Sequence, residues 1–340
     1  MIITRAPLRI SFSGGGTDIP AVYRIIGGGA VVSTAITRYV YVTLNEKFDR
    51  QVSVRYRIHE QVDRVRGIKH PLIRETLADY GIDDNVELVV ASDVPARGSG
   101  LGASSALAVA LSLACHRWTG RDDPDPRTLA ERAAMIEIER VGSPIGKQDH
   151  YAAAWGGVHL FRFAAEGVAV EPAPPSSFPA ALADESLLFY LQAEHAYAGS
   201  TFVQRILRDQ VDQAAQQVAT HRLQRDNALA MWEEWAYESR ERFADRVNEN
   251  WRLKQTLHVD ITSVAIEAVI LRARAAGAIA AKVCGAGGGG FLYVLAPRDA
   301  HGAVRQAVAL PELRCTFTTA GAEVVFDDGA RRHVGIANRV

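Results

Sequence analysis

The chain has 340 residues, of which 48% are hydrophobic and 23% are charged, so it can bury the cores of two domains and is not globally disordered. Lys and Arg number 38 and Asp and Glu number 39, which gives a formal net charge of −1 and removes the simplest case for binding nucleic acid or an anionic membrane. Three cysteines are too few and too scattered for a disulfide framework or a thiolate metal site.

The sequence predicts neither a secretory signal nor a membrane-spanning segment. The amino-terminal residues lack an apolar stretch of signal-peptide length, and no run of about 18 apolar residues occurs anywhere. We therefore expect a cytoplasmic protein with reduced thiols, no membrane contact and no nucleic-acid partner.

Strands dominate the first part of the chain. β-branched runs and apolar alternation predict strands over residues 2–12, 30–45, 86–91 and 158–163. Residues 104–118 are apolar nearly all round and begin with two serines, which predicts a buried helix with a serine N-cap. A second helix is predicted over residues 128–140, with alanines and an isoleucine on its apolar side.

A proline-rich segment over residues 172–179 is the best candidate for a domain boundary or a long exposed loop. Beyond it, charged and apolar residues at helical spacing predict three or four helices over residues 200–277. Strands are predicted over residues 187–192, 279–284, 291–295, 314–318 and 323–326. Strands on both sides of a glycine run, after a helical region, indicate an α+β layer.

Three glycine clusters are the most informative feature of the sequence. They cover residues 13–18 after a strand, 95–106 between a strand and an apolar helix, and 285–290 between two strands. In the middle cluster, glycines expose consecutive backbone N–H groups where the following helix presents its positive end, so an anion such as a triphosphate is stabilised there. Ser104 and Ser105 add hydroxyls suited to ligating Mg²⁺. The alternative is a flexible turn before an N-capped helix.

Two common phosphate-binding motifs do not fit the sequence. No lysine follows the middle cluster, which excludes the Walker pattern. The third cluster matches Gly-x-Gly-x-x-Gly through Gly285, Gly287 and Gly290, but a strand-like segment follows it where a dinucleotide site needs a helix. We interpret it as a glycine-rich hairpin tip, either a plain turn or one that approaches a ligand.

Acidic side chains supply candidates for metal and proton-transfer chemistry. Glu137 lies on the helix predicted over residues 128–140, and with a serine hydroxyl it can hold a metal that bridges phosphate oxygens. Glu139 competes for this role, and periodicity does not choose between the two. Asp149 is predicted in a loop beside a glycine, where an aspartate is commonly a turn or cap residue.

The three clusters, in this order, resemble those of the galactokinase, homoserine kinase, mevalonate kinase and phosphomevalonate kinase superfamily, the GHMP kinases. Within it the chain is similar to the D-glycero-D-manno-heptose 7-phosphate kinases. The matching segments are Pro-Leu-Arg-Ile-Ser-Phe-Ser-Gly-Gly-Gly-Thr-Asp at 7–18, Gly-Lys-Gln-Asp-His-Tyr-Ala-Ala-Ala at 146–154 and Asn-Glu-Asn-Trp-Arg-Leu-Lys at 248–254. The similarity spans nearly the whole chain and is weakest over residues 165–245.

The resemblance implies an α+β fold of two domains. Residues 1–170 would form a nucleotide-binding domain like the second domain of ribosomal protein S5, and residues 180–340 a ferredoxin-like GHMP domain. ATP, Mg²⁺ and a sugar or sugar phosphate would meet in the cleft between them. The amphipathic helices over residues 200–277 either pack on their own domain, which is the default, or form a homodimer.

The resemblance also implies roles for individual residues. Asp149 corresponds to the catalytic base and Arg9 to the basic residue that pairs with it. Ser104 and Glu137 correspond to the Mg²⁺ ligands, which selects Glu137 over Glu139. The residues expected around ATP are Pro95, Arg97, Gly98, Ser99, Gly100, Leu101, Gly102, Ala103, Ser104 and Ser105. The residues expected around the acceptor are Gly15, Gly16, Thr17, Asp18, Lys147, Gly287 and Gly288.

Two positions depart from the family pattern: Ala103 replaces a frequent serine, and His150 replaces an expected glutamine. We expect neither departure to touch a metal or proton-transfer role. A 7-phosphate on the acceptor needs a basic pocket, for which Lys147 is favoured because it adjoins the loop of Asp149. The full set of basic candidates is Arg24, Arg55, Arg57, Lys69, Arg97 and Lys147.

The predicted reaction transfers the γ-phosphoryl group of ATP to the anomeric hydroxyl of D-glycero-D-manno-heptose 7-phosphate and gives the 1,7-bisphosphate. One alternative is an anomeric kinase of another heptose or hexose, such as a fucose- or galactose-like sugar. The other is a non-catalytic member of the fold that binds ATP or sugar. Such members normally lose the proton-transfer or metal residues. In this sequence all four are present: Arg9, Ser104, Glu137 and Asp149.

Overall fold

A computed structural model describes residues 1–95, 98–191 and 199–330 of the chain. In those residues, strands β1 to β11 span, in chain order, Ile2–Ser13, Gly29–Glu46, Val52–Arg55, His59–Val62, Val86–Ser92, Val158–Ala164, Gly167–Pro172, Ser186–Leu191, Ala280–Val283, Gly290–Leu295 and Glu323–Asp327. Helices α1 to α11 span Pro20–Ile26, Pro71–Asp79, Ala103–Trp118, Pro126–Met135, Gln148–Trp155, Phe178–Glu185, Gly199–Asp212, Val218–Glu234, Arg240–Gln255, Val264–Ala275 and His301–Val308. None of the helices in these ranges is long and apolar enough to cross a membrane.

The first sheet is built around the long strands β1 and β2, which pair antiparallel over most of their length. The first part of β2 also pairs with β6, and its later part pairs with β5. The strand order is β11-β1-β2-β5-β3-β4, with β7 beside β6. Most side chains of β1 are buried, because the strand has a neighbour on each side and helices packed against it.

Helix α3 packs on β1 and β2 and is buried nearly all round, as its apolar sequence predicts. The core around this sheet also takes in side chains from much later in the chain. The ring centroid of Phe12 on β1 lies 4.9 Å from that of Phe243 on α9. Helix α9 is therefore fixed against the strand that leads into the first glycine cluster.

The second sheet has the order β8-β10-β9, with antiparallel pairs, and shares an apolar core with α10 and α11. Helices α7 to α10 confirm the three or four helices expected over residues 200–277. The last described strand, β11, returns to the first sheet and pairs with β1. The division into residues 1–170 and 180–340 stays a prediction.

Two predicted elements differ from the structure. The helix predicted over residues 128–140 is α4 followed by a π-helical turn, Ile136–Arg140, which shifts the register of the side chains that follow Met135. The strand predicted over residues 314–318 is wrong, because this segment forms one isolated bridge, between Phe317 and Ile36. Thr316 and Thr318 also form backbone hydrogen bonds with Thr37 and Ala35, but this pairing is too short to make a strand.

Two residue placements also differ. Gly102 is the N-cap of α3, so the predicted serine N-cap is wrong; the serine hydroxyls donate to a carboxylate instead of to the backbone of their own helix. Asp149 does not lie in a loop but in the first turn of α5. A carboxylate is favourable there, because the first turn of a helix carries partial positive charge.

Candidate active site

A cavity of about 610 Å³ is lined by residues from all three glycine clusters. The first cluster contributes Gly15 and Gly16, and the third contributes residues between Gly285 and Gly289. The predicted ATP-loop residues on the cavity wall are Gly98, Ser99, Gly100, Gly102, Ala103, Ser104 and Ser105. Segments that are far apart in the sequence thus form one site.

Arg9 and Asp149 form a bidentate ion pair at this cavity. Arg9 Nε and Nη2 donate to Asp149 Oδ1 and Oδ2, at 2.6 and 2.7 Å. Arg9 Nη1 also donates to the carbonyl oxygen of Gly100, at 2.6 Å. The carboxylate is therefore held in one orientation while its side chain stays 21% exposed and accessible from the cavity.

The middle glycine cluster adopts a backbone conformation that favours glycine. Gly100 and Gly102 have φ values of +73° and +77°. A Cβ on Gly100 would lie 2.5 Å from the carbonyl oxygen of Cys284, so the second and third clusters touch backbone to backbone. Helix α3 begins directly afterwards, and its N-terminal N–H groups can bind an anion.

Glu137 lies on the π-helical turn and is 3% exposed. Its carboxylate accepts hydrogen bonds from the hydroxyls of Ser104 and Ser105 and lies 2.8 Å from His150 Nε2. Burial acts to raise the pKa of Glu137, but these hydrogen bonds and the charge of His150 prevail and hold that pKa below its usual value. An ionised carboxylate and a hydroxyl thus lie side by side on the cavity wall, which is a donor set suited to Mg²⁺.

His150 corrects an expectation from the sequence. Its replacement of glutamine was expected to leave the metal and proton-transfer roles untouched, yet its imidazole contacts the carboxylate of Glu137 directly. The side chain is fully buried. The adjacent Asp149 drew attention to this segment, but nothing local in the sequence links His150 to a glutamate thirteen positions earlier.

Asp18 forms a buried polar wall of the cavity with two glutamines. Its carboxylate accepts hydrogen bonds from the backbone of Gly16 and from the backbone and side-chain amide of Gln148, at 2.9 to 3.2 Å. Burial, with a smaller contribution from the charge of Asp149, raises the pKa of Asp18. Gln148 Oε1 and Gln210 Nε2 are buried and have no hydrogen-bond partner among the described residues. The sequence analysis assigned no role to either glutamine.

Several residues predicted around the ligands lie off the cavity wall. Lys147 pairs with Glu131 of α4, 3.3 Å away, so its predicted contact with the acceptor is not supported. The Thr17 hydroxyl donates to the carbonyl oxygens of Gly14 and Ala30 and so holds the loop together. The remaining predicted residues off the described cavity wall are Pro95, Leu101 and Gly288. Arg97 lies outside the described residues.

Of the other basic residues considered for binding an acceptor phosphate, two line the cavity and two do not. Arg57 and Lys69 line the cavity, next to the segment around Tyr56. Arg55 pairs with Glu87, 3.4 Å away. Arg24 is not on the described cavity wall.

Lys254 of α9 is a cavity residue to which the sequence assigned no role. Its Nζ donates to the carbonyl oxygen of Gly285, and the residue is 7% exposed. Burial, then repulsion from Arg9, lowers the pKa of Lys254 to about 8. Lys254 is the last residue of the segment 248–254, which resembles the heptose kinases, and this resemblance could have indicated a role for it.

Two family descriptions match the chain. Residues 63–157 match GHMP kinases N terminal domain, and residues 233–310 match GHMP kinases C terminal. The first match includes Glu137 and Asp149, and the second includes Lys254.

Two characterised sequences are similar to the chain at modest identity. It is 27% identical over 305 residues to D-glycero-alpha-D-manno-heptose 7-phosphate kinase of Campylobacter jejuni, covering 86% of this chain and 88% of that protein. It is 27% identical to L-fucokinase/L-fucose-1-P guanylyltransferase of Bacteroides fragilis, covering 91% of this chain and 36% of that longer protein.

A crystal structure described as a D-glycero-D-manno-heptose 1-phosphate kinase from Bacteroides thetaiotaomicron has a similar fold. The TM-score is 0.74 at 21% identity, and the match covers 95% of this chain and 98% of the other. A likeness at this identity concerns the fold. It confirms the α+β class that the sequence predicts.

Proposed function

The chain belongs to the GHMP kinases and is a sugar phosphotransferase, and we propose that its acceptor is the anomeric hydroxyl of D-glycero-D-manno-heptose 7-phosphate. The product would be the 1,7-bisphosphate. The main support for this mechanism is that the carboxylate of Asp149, paired with Arg9, lines the same cavity as the N-terminus of α3. A proton acceptor and an anion-binding helix end thus share one space.

Asp149 is the general base of the proposed reaction. The anomeric oxygen forms a bond to the γ-phosphorus, the bond from that phosphorus to the bridging oxygen of ADP breaks, and the hydroxyl proton passes to a carboxylate oxygen of Asp149. General-base assistance of this kind contributes about 10²–10⁴-fold in rate. Arg9 keeps the carboxylate aligned, and the Gly98–Ser105 backbone with the start of α3 stabilises the triphosphate.

Ser104 and Glu137 fit Mg²⁺ because a hydroxyl and an ionised carboxylate meet on the cavity wall, beside residues 98–105, the proposed phosphate-binding loop. Magnesium in phosphoryl-transfer sites takes one or two protein oxygens and completes its shell with water and phosphate oxygens. When bound, the ion would neutralise charge on the phosphates. Ser105 and His150 orient the carboxylate through their hydrogen bonds.

The acceptor assignment is supported by the polar wall of Asp18, Gln148 and Gln210. The wall offers a buried carboxylate and two polar amide atoms, Gln148 Oε1 and Gln210 Nε2, that have no partner among the described residues. These groups suit a ligand with many hydroxyls, since each hydroxyl both donates and accepts. The named activity of the Campylobacter jejuni relative favours a heptose 7-phosphate among such ligands. The named activity of the Bacteroides fragilis relative makes a fucose-like hexose the second candidate.

The test is ADP release with ATP, Mg²⁺ and a panel of acceptors: D-glycero-D-manno-heptose 7-phosphate, the unphosphorylated heptose, L-fucose and D-galactose. We expect the highest kcat/KM with the heptose 7-phosphate, and a new phosphate on C1 by phosphorus and proton NMR. Asp149→Asn, assayed in parallel, controls for contaminating kinases. A higher kcat/KM with an unphosphorylated sugar, or a new phosphate away from C1, would show that the acceptor is assigned wrongly.

A further inference from the structure

We propose that Lys254 is a further catalytic residue, whose ammonium contacts the phosphoryl group as it passes from ATP to the acceptor. The inference rests on the proposed roles of the Arg9–Asp149 pair and the middle glycine cluster. It does not depend on which sugar accepts the phosphate. Helix α9, which carries Lys254, has no other part in the chemistry described above.

A short series of contacts connects Lys254 to the catalytic pair. Lys254 Nζ donates to the carbonyl oxygen of Gly285. A Cβ on Gly285 would lie 2.5 Å from the Cα of Gly100, so these two backbones touch. The carbonyl oxygen of Gly100 in turn accepts from Arg9, which holds Asp149. The ammonium therefore lies where the third glycine cluster meets the phosphate-binding loop, on the wall of the same cavity.

The charge of Lys254 is incompletely satisfied by the described residues. An ammonium has three N–H donors, and the hydrogen bond seen here uses a neutral carbonyl oxygen. No carboxylate of a described residue forms an ion pair with it, although Asp18 and Asp149 attract it from farther away. A buried cation without a paired anion costs free energy, so a ligand that brings negative charge to this ammonium would be stabilised by it. An anionic ligand in the cavity would complete its partners.

A second buried lysine shows what a structural role looks like in this fold. Lys282 on β9 donates to the carbonyl oxygens of Ser11 and Phe12, at 2.5 and 3.4 Å, and does not line the described cavity. Its amino group joins β9 to β1. Lys254 differs because its ammonium lies on the cavity wall and, within the described part of the chain, donates to one carbonyl oxygen.

The transferred phosphoryl group is the anion that suits this position. In the transition state its charge is spread over three oxygens while it lies between the phosphate-binding loop and the base. Lys254 is hydrogen-bonded to the backbone of Gly285, which touches this loop. Its charge is repelled by Arg9 and attracted by Asp149. A compact ammonium there would stabilise oxygens whose negative charge is no longer shared with ADP.

The test compares Lys254→Met, Lys254→Arg and the matched control Lys282→Met. With the sugar that the wild type phosphorylates best, we expect Lys254→Met to lose about 10²–10³-fold in kcat while its ADP affinity stays near wild type. Lys254→Arg should recover part of this loss, and Lys282→Met should retain kcat. Affinity for ADP with aluminium fluoride, a mimic of the phosphoryl group in transit, should fall in Lys254→Met far more than affinity for ADP.

A pH profile gives a second measurement that does not require the methionine variant to fold. The charged and titratable groups facing Lys254 are Arg9, Asp18, Asp149, Lys282 and Cys284. Because the pKa of Lys254 is about 8 in the free protein, kcat/KM should fall above about pH 8, and Lys254→Arg should move this fall to higher pH.

Unchanged kcat and unchanged affinity for the ADP–aluminium fluoride pair in Lys254→Met would overturn the inference, as would identical pH profiles in wild type and Lys254→Arg. The choice of sugar keeps the two proposals separate. If the wild type prefers an acceptor other than the heptose 7-phosphate, the acceptor assignment fails, and the variants still test Lys254 with the preferred sugar.

Discussion

Gly102, the N-cap of α3, lies against the carboxylate of Asp149, such that a Cβ on Gly102 would be 3.2 Å from Asp149 Oδ2. The same Cβ would be 3.3 Å from Cγ of Arg9. The start of the anion-binding helix and the proposed base are thus in direct contact. A side chain at position 102 would therefore press on both Asp149 and Arg9.

Substitution of Gly102 should therefore damage catalysis more than folding. Gly120, just beyond the other end of α3, has a similar φ of +70° and serves as the control. A Cβ at 120 would meet no described atom within 4 Å, whereas a Cβ at 102 would meet Asp149 and Arg9. Both Gly102→Ala and Gly120→Ala should lose about 1 kcal/mol of stability from the left-handed backbone. Only Gly102→Ala should lose kcat, by about tenfold or more. Thermal unfolding and steady-state kinetics measure the two effects, and equal kcat in both variants would contradict the contact.

Asp149→Asn should lower kcat by at least about 10²-fold, because the amide cannot accept the sugar proton. Arg9→Ala should have an effect of the same order, because the carboxylate loses the guanidinium that aligns it. ATP should still bind to both, as measured by calorimetry with a non-hydrolysable analogue. Near-normal turnover in either variant would remove that residue from the proton-transfer step.

The Mg²⁺ requirement should depend on Glu137 and on two residues that contact it, Ser104 and His150. Ser104→Ala and Glu137→Ala should each raise the Mg²⁺ concentration for half-maximal activity, because a metal ligand is lost. His150→Leu should raise it by about tenfold, the lower end of the effect of losing a hydrogen bond to a metal ligand. His150→Gln, which keeps a donor, should have a smaller effect. Titration of Mn²⁺ binding by electron paramagnetic resonance checks the same order without turnover, and three unchanged titrations would exclude this metal site.

Gln210→Leu should raise the KM for the acceptor while the KM for ATP stays near wild type. The buried Nε2 of Gln210 has no partner among the described residues and lies on the wall with Asp18, so we expect it to donate to the acceptor. The loss should be about 1–3 kcal/mol, or roughly 5- to 150-fold in KM. Gln216→Leu, on an exposed position just past the same helix, is the control. Parallel increases in both KM values would point to a folding defect.

Because of Lys282, the free energy of unfolding should increase as the pH rises above about 7. Burial, then repulsion from Lys254, lowers its pKa from 10.5 to about 7 in the folded protein. Between these values the unfolded chain holds a proton that the folded protein has released, so the free energy of unfolding rises with pH by up to about 1.4 kcal/mol per pH unit. Lys282→Met should lack this rise between pH 7 and 8, whereas above pH 8 the lowered pKa of Lys254 produces a rise in both proteins. Urea unfolding at pH 7, 8 and 9 gives the difference, and parallel curves for the two proteins would contradict it.

Features that depend on neighbours along the chain could be predicted from the amino-acid pattern alone. The glycine clusters were recognisable because left-handed backbone and close backbone approach favour glycine wherever they occur. The buried helix over residues 104–118 and most strands were recognisable because the apolar pattern repeats with the period of the element. The order of the clusters was enough to identify the family and the α+β class.

Which side chains meet across the site depends on the packing of distant elements and could not be predicted in this way. The contact of His150 with Glu137, the position of Lys254 on the cavity wall and the turn of Lys147 towards Glu131 all join separate elements. Whether such a charge lies on the cavity or on a neighbouring helix depends on how these elements pack. That packing is a sum of many weak contacts spread over the whole chain, and no local pattern of residues records its outcome.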